Sequence, residues 1–183
     1  KEELIAYLAK ERKHPIHFKN WTIDDNVHPT SDLEEAVSDA NLIVMVVPAQ
    51  GLRSAAKAMN PYVKEGVSFL SVGKGLELNT NKRLSQVLED ELDRTYRLAV
   101  LSGGMIAAEF VEGNPLFATI ASKDKRFAQI MKGILTSETF FPTYSTDVIG
   151  VELAGPLKNV IAITAGIGFG LGYKASTIGG FIA

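Results

Sequence analysis

A single ammonium stands in an otherwise uncharged run, "GPLKNVIAITAGIGFGLG", at residues 155–172. Lys158 is followed there by Asn159, whose amide both donates and accepts hydrogen bonds. A lysine inside an apolar helix ordinarily snorkels its head group to water, and this run offers little polar face for that. A lysine kept in such a setting suits proton delivery or uptake. A second lysine, Lys74, lies between two glycines in "SVGKGLE". A solvated turn lysine looks the same, so Lys74 matters only if it shares a crevice with Lys158.

The elements around these residues bear on that condition. Lys74 follows the apolar run "GVSFLSV". Two more apolar runs also end in turn-forming or small residues. "NLIVMVV" leads into Pro48, Ala49 and Gln50, and "YRLAVL" into Ser102, Gly103 and Gly104. Near-continuous apolar runs are the mark of strands buried on both faces. "LFATIAS" and "TFFPTYS" read as further strands, and "GLRSAAKAM", "RLSQVLEDEL", "GMIAAEFVEG" and "KRFAQIMKGIL" as helices between them. This alternation predicts an α/β fold with a doubly wound parallel sheet. In such a sheet ligands gather at the carboxyl ends of the strands, which would bring the three strand ends onto one edge. Ser31 to Glu34 in "SDLEEAV" reads as a capping box opening a short helix. Thr146 and Asp147 cap a long Ala- and Gly-rich helix from Val148 to about Gly172. The expected boundary therefore separates residues 1–145, a sheet domain, from residues 146–183, the start of a helical one. Pro156 inside that helix should remove a backbone hydrogen bond and kink it.

Composition narrows the function. The chain has 183 residues, 46% apolar and 22% charged, as soluble globular proteins do. A net charge of -2 argues against a nucleic-acid partner. There is no cysteine, so thiolate chemistry and disulfides are excluded, which fits a reducing compartment. The longest apolar run, Val160 to Tyr173, falls short of the ~20 residues that a membrane span requires. His14 and His17 have a spacing that suits a metal, but no third ligand accompanies them; they are expected to be surface loop residues and no metal is expected. Trp21 is expected to be a packing anchor. The chain opens inside a helix, "KEELIAYLAKERK", and closes on "GGFIA"; it is read as a segment of a longer protein, without the Gly-x-Gly-x-x-Gly loop that would precede that helix.

The stretch "TDVIGVELAGPLKNVIAITAGIGFGLG" resembles the signature of the bacterial-type NAD(P)-dependent glycerol-3-phosphate dehydrogenases. "SDLEEAVSDANLIVMVVPAQGLR", "SVGKGLE" and "LSGGMIAAEFVEGNPLFATIAS" resemble three further blocks of that family, in the same order. The resemblance implies a Rossmann-like dinucleotide-binding domain over residues 1–145 and the first helices of a helical substrate domain over 146–183. It implies NAD or NADP as cofactor, dihydroxyacetone phosphate and glycerol 3-phosphate as the small-molecule substrates, a homodimer, a cytoplasmic location and a supply of glycerol 3-phosphate to phospholipid synthesis. It assigns Lys158 as proton donor and acceptor, and Lys74 as a second catalytic residue contacting both substrate and cofactor. Gly103, Met105 and Asn159 would face the substrate, Pro48 and Ala107 the cofactor, and Glu109 would be structural. Met105 departs from the family's Ser or Thr, and a thioether cannot donate a hydrogen bond. Gly104 replaces Pro and Pro156 replaces Ala. These departures leave room for a non-catalytic relative that keeps the fold for binding or assembly.

Overall fold

The apolar runs become five strands of one sheet in a computed structural model that describes residues 2–183. They are β1 (Leu42–Met45), β2 (Val67–Ser71), β3 (Tyr96–Gly103), β4 (Leu116–Ala121) and β5 (Phe140–Ser145), in the spatial order β1-β2-β3-β4-β5. Eight α-helices accompany them among the described residues: α1 (Glu2–Glu11), α2 (Leu33–Val37), α3 (Leu52–Met59), α4 (Leu84–Glu91), α5 (Ala107–Val111), α6 (Lys125–Leu135), α7 (Val148–Gly170) and α8 (Ala175–Ile182).

The sheet is mixed rather than wholly parallel. β1, β2 and β3 run parallel, as do β4 and β5, but β3 and β4 are antiparallel. The connection explains the reversal. β3 has eight residues, about 26 Å of chain. The five-residue α5 that follows it climbs only about 7.5 Å. It cannot carry the chain back along the strand, so β4 enters the sheet at the end where β3 leaves it.

Both faces of the sheet carry helices. Leu52, Ala56 and Met59 of α3 and Leu84, Val87 and Leu88 of α4 pack on Ile43, Met45, Val67 and Phe69. On the other face Phe127 and Met131 of α6 pack on Leu70, Ala99, Ala118 and Ile120. β2 is buried at every residue. β1, by contrast, is an edge strand buried on one face only, with Val44 47% exposed and Val46, just beyond its end, 71% exposed; no residue of α1 is buried. The cap of α2 is Asp32, whose carboxylate accepts from the Glu34 and Glu35 amides, rather than a Ser31 capping box.

α7 rests on β3 through Val148, against Val100 and Ala121. It has 23 residues and runs through Pro156 without interruption. Its mean hydropathy of 1.4 over an 18-residue window makes it long and apolar enough to cross a membrane by length and composition alone. The shorter run counted from Val160 overlooked the twelve residues that precede it in the helix. Such a helix is weak evidence for a span, and this one carries a paired Glu152 in its second turn.

An ion cluster fixes the loop after Lys74. The Arg53 guanidinium of α3 donates to Glu77 at 2.7 and 2.8 Å and to Asp90 at 2.9 Å, and also pairs with Glu91. Lys82 joins Asp90 at 2.6 Å. The Gln50 side chain donates to Leu76 O and accepts from Leu78 N, both at 2.9 Å. Arg53, with the Thr80 hydroxyl, pulls the Glu77 carboxyl down to about 2 from its ordinary 4.5. In that interval the unfolded chain binds a proton that the folded one does not. The stability from this contact is therefore complete above pH 4.5 and is lost as pH falls towards 2. Arg53→Leu should flatten most of this part of the pH dependence of the urea unfolding midpoint, because Glu77 then loses the larger of its two stabilising partners and keeps only the Thr80 hydroxyl.

Candidate active site

Three close approaches build a cleft at the carboxyl ends of β2 and β3. Lys74 lies three residues beyond β2. Beside it, a Cβ on Gly73 would meet Leu84 Cδ1 at 2.7 Å, and Gly75 holds a φ of 129° that a side chain would resist. Gly103 ends β3 opposite Ala118. A Cβ there would stand 2.6 Å from Phe117 O and 2.7 Å from Ala118 Cα, so only glycine lets β4 come so near. Gly155 of α7 completes the set: its Cβ would lie 3.3 Å from Ser102 Oγ and 3.4 Å from Lys74 Cγ. Lys158 follows three residues later. Residues so spaced on a helix have Cβ atoms about 5–6 Å apart, which sets Lys158 one turn from the helix's contact with Lys74.

Two hollows open here. The first, about 300 Å³, is lined by Ser102, Gly103, Gly104, Thr119, Ala154 and Lys158. The second, about 540 Å³, is lined by Lys74, Met105 and Ala107, and by Val46, Phe18 and Trp21. They adjoin at Gly103, which lines the first while its carbonyl accepts from Lys74 Nζ at 3.0 Å. The structure thus brings Lys158 and Gly103 together, and Lys74, Met105 and Ala107 beside them.

Pro48 and Asn159 line neither hollow. Pro48 is exposed ahead of a 3-10 turn, Ala49–Gly51. Asn159 is exposed on α7. Lys158 is exposed too, and makes no hydrogen bond or ion pair among the described residues. Met105 is half-buried and packs against the apolar cluster under β3 and β4, so it gives the hollow a wall rather than a donor. Trp21 is 47% exposed and is not the packing anchor expected of it. His14 spends its Nδ1 accepting the Ile16 and His17 amides.

Glu152 escaped the sequence reading. It is 8% exposed. Its carboxylate accepts from Ser85 N, Ser85 Oγ and Arg83 Nη1, each at 2.7 Å. The contact ties the second turn of α7 to the start of α4. One lone acid in an apolar helix was the available signal, parallel to the lone lysine six residues on.

Models of the NAD-dependent glycerol-3-phosphate dehydrogenase N-terminus and C-terminus match residues 1–128 and 147–183. The chain belongs to the NAD-dependent glycerol-3-phosphate dehydrogenase family. Among relatives of this family, glycerol-3-phosphate dehydrogenase [NAD(P)+] of Moorella thermoacetica is 38% identical over 176 residues, 96% of this chain and 52% of that protein. The protein of the same name from Syntrophotalea carbinolica is 35% identical over 174 residues, 94% of this chain and 52% of that protein. The chain spans about half the length of the curated relatives it matches. The glycerol-3-phosphate dehydrogenase of Saccharomyces cerevisiae shares the fold at a TM-score of 0.85 and 24% identity, covering 97% of this chain and 53% of that one.

Two substitutions probe the scaffold of the cleft. Glu152→Ala strands the Arg83 guanidinium and is expected to cost about 3 kcal/mol in denaturant unfolding. Gly103→Ala forces β4 away and is expected to cost about 1–3 kcal/mol, with Ala118 amide exchange accelerated.

Proposed function

We propose that the protein carrying this chain interconverts dihydroxyacetone phosphate and sn-glycerol 3-phosphate with NAD(P)H. The observation that carries the reading is the pair of adjoining hollows, one edged by Lys158 and one by Lys74, at the carboxyl ends of β2 and β3. Family membership supports it.

The residues present suit a nicotinamide. The larger hollow, about 540 Å³, is within the usual range of small-molecule sites. It combines an apolar lining with one cation, and Gly75 and Gly103 keep the backbone near it free of side chains. When bound, the cofactor supplies a hydride to C2 of the ketone. Lys158 Nζ gives a proton to the ketone oxygen as the C2–H bond forms, leaving the alcohol and a neutral amine; the reverse reaction returns that proton. Lys74, held on the Gly103 carbonyl at 3.0 Å, orients substrate and cofactor across the shared wall. In this reading Gly103 and Met105 contact substrate and Ala107 contacts the cofactor, while Asn159 and Pro48, outside the two hollows, meet substrate and cofactor only where these extend beyond them. Residues 146–183 begin the helical substrate domain. The protein acts as a cytoplasmic homodimer that feeds phospholipid synthesis.

The experiment is to follow NADH and NADPH absorbance with dihydroxyacetone phosphate, using the full-length protein. Lys158→Ala should lower kcat about 10²- to 10⁴-fold and leave cofactor dissociation constants nearly unchanged. A variant as fast as the parent removes Lys158 from the reaction. A parent that binds cofactor but never turns over supports instead a non-catalytic relative, a reading that Met105, with no donor to offer, permits.

A further inference from the structure

We propose that Trp21, with Phe18, forms the aromatic wall against which the nicotinamide ring packs, an inference that rests on the dehydrogenase reading above. Two large rings sit 40% and 47% exposed, at Phe18 and Trp21, and both line the hollow edged by Lys74. Val46 and Val72 complete its apolar surface, and Met105 and Ala107 contribute from the segment that follows β3.

The segment presenting them is tied down. Arg12 Nη1 donates to Val27 O at 2.9 Å, and its Nη2 to Asp24 O. Ile23 N donates to Arg12 O at 2.7 Å, and Trp21 N to Phe18 O at 2.8 Å. One arginine thus closes the loop from Arg12 to Val27, and within that loop the Phe18–Trp21 turn is closed by its own backbone bond. Phe18 also takes a φ of 53°, a left-handed conformation that bulky residues rarely adopt and that tends to gather at ligand sites. An exposed indole in an apolar hollow loses its water contacts when a flat ring covers it. The nicotinamide is such a ring: its faces stack on aromatics, its oxidised form is a cation that a Trp face attracts, and its carboxamide oxygen accepts from an ammonium such as Lys74. Trp21 is here a positioning residue for the cofactor.

The test uses the full-length protein and its Trp21→Ala and Trp21→Phe variants. Binding of NADH and NADPH is read from the emission of the reduced nicotinamide, and ADP-ribose, which lacks that ring, is titrated by competition. Trp21→Ala should weaken reduced-cofactor binding about tenfold and raise cofactor KM. Trp21→Phe should stay within about twofold. ADP-ribose affinity and the thermal midpoint should not move, which separates a contact from a folding defect. Unchanged reduced-cofactor affinity in Trp21→Ala overturns the inference, as does an equal loss for ADP-ribose, which would seat adenine on the indole. A parent protein that binds neither reduced cofactor sinks the dehydrogenase reading itself, and this one with it.

Discussion

Glu152 reaches out of α7 to the start of α4, where its two oxygens take up the Ser85 amide, the Ser85 hydroxyl and the Arg83 guanidinium. An unpaired carboxylate at 8% exposure would be costly; three donors and the positive end of α4 offset that cost. The cleft depends on this contact because α7 is otherwise held to the sheet by small, smooth surfaces: Val148, Val151 and the bare face of Gly155. Such surfaces allow sliding and rotation. One polar contact of fixed geometry sets the height and the turn of the helix, and Gly155 and Lys158 follow from it at intervals of three residues.

The glycines act in a complementary way. Gly103 lets β4 close on β3, and Gly155 lets α7 close on Lys74 and Ser102. Where Glu152 pins, they permit contact. Lys74 is caught between them, its stem against α7 and its ammonium on the Gly103 carbonyl. A chain with larger residues at either place would hold its lysines farther apart, whatever their chemistry.

Much of this was legible in the sequence, for physical reasons that differ by element. The buried strand β2 and the helices with apolar stripes, such as α3 and α6, announce themselves by periodicity. Lys74 and Lys158 stood out because charge is rare in their surroundings. The antiparallel entry of β4 was not legible, since the pattern of "LFATIAS" is the same in either direction and only the shortness of α5 decides. Trp21 was misjudged because an aromatic residue's burial depends on what covers it, and nothing in "KNWTID" tells whether a neighbour does. Pro48, at the end of an apolar run, and Asn159, beside the lone lysine, took their ligand-contact roles from resemblance, and the geometry brings neither to the two hollows. Glu152 stands alone as an acid in α7, but its three donors lie 67 to 69 residues away in the chain, a distance no local pattern spans.

The reversal between β3 and β4 divides the sheet's polarity. β1 to β3 discharge their chain ends at the edge where Gly103 sits, whereas β4 and β5 discharge theirs at the opposite one. Ser122, Lys123 and Asp124 therefore emerge beside Tyr96, Arg97 and Leu98, at the entry of β3, around a separate cavity of about 450 Å³. Arg83, Ser85 and Val148 line that cavity as well, so the far margin shares its wall with the anchor of α7, and whatever fills it presses on the mooring of the lysine helix.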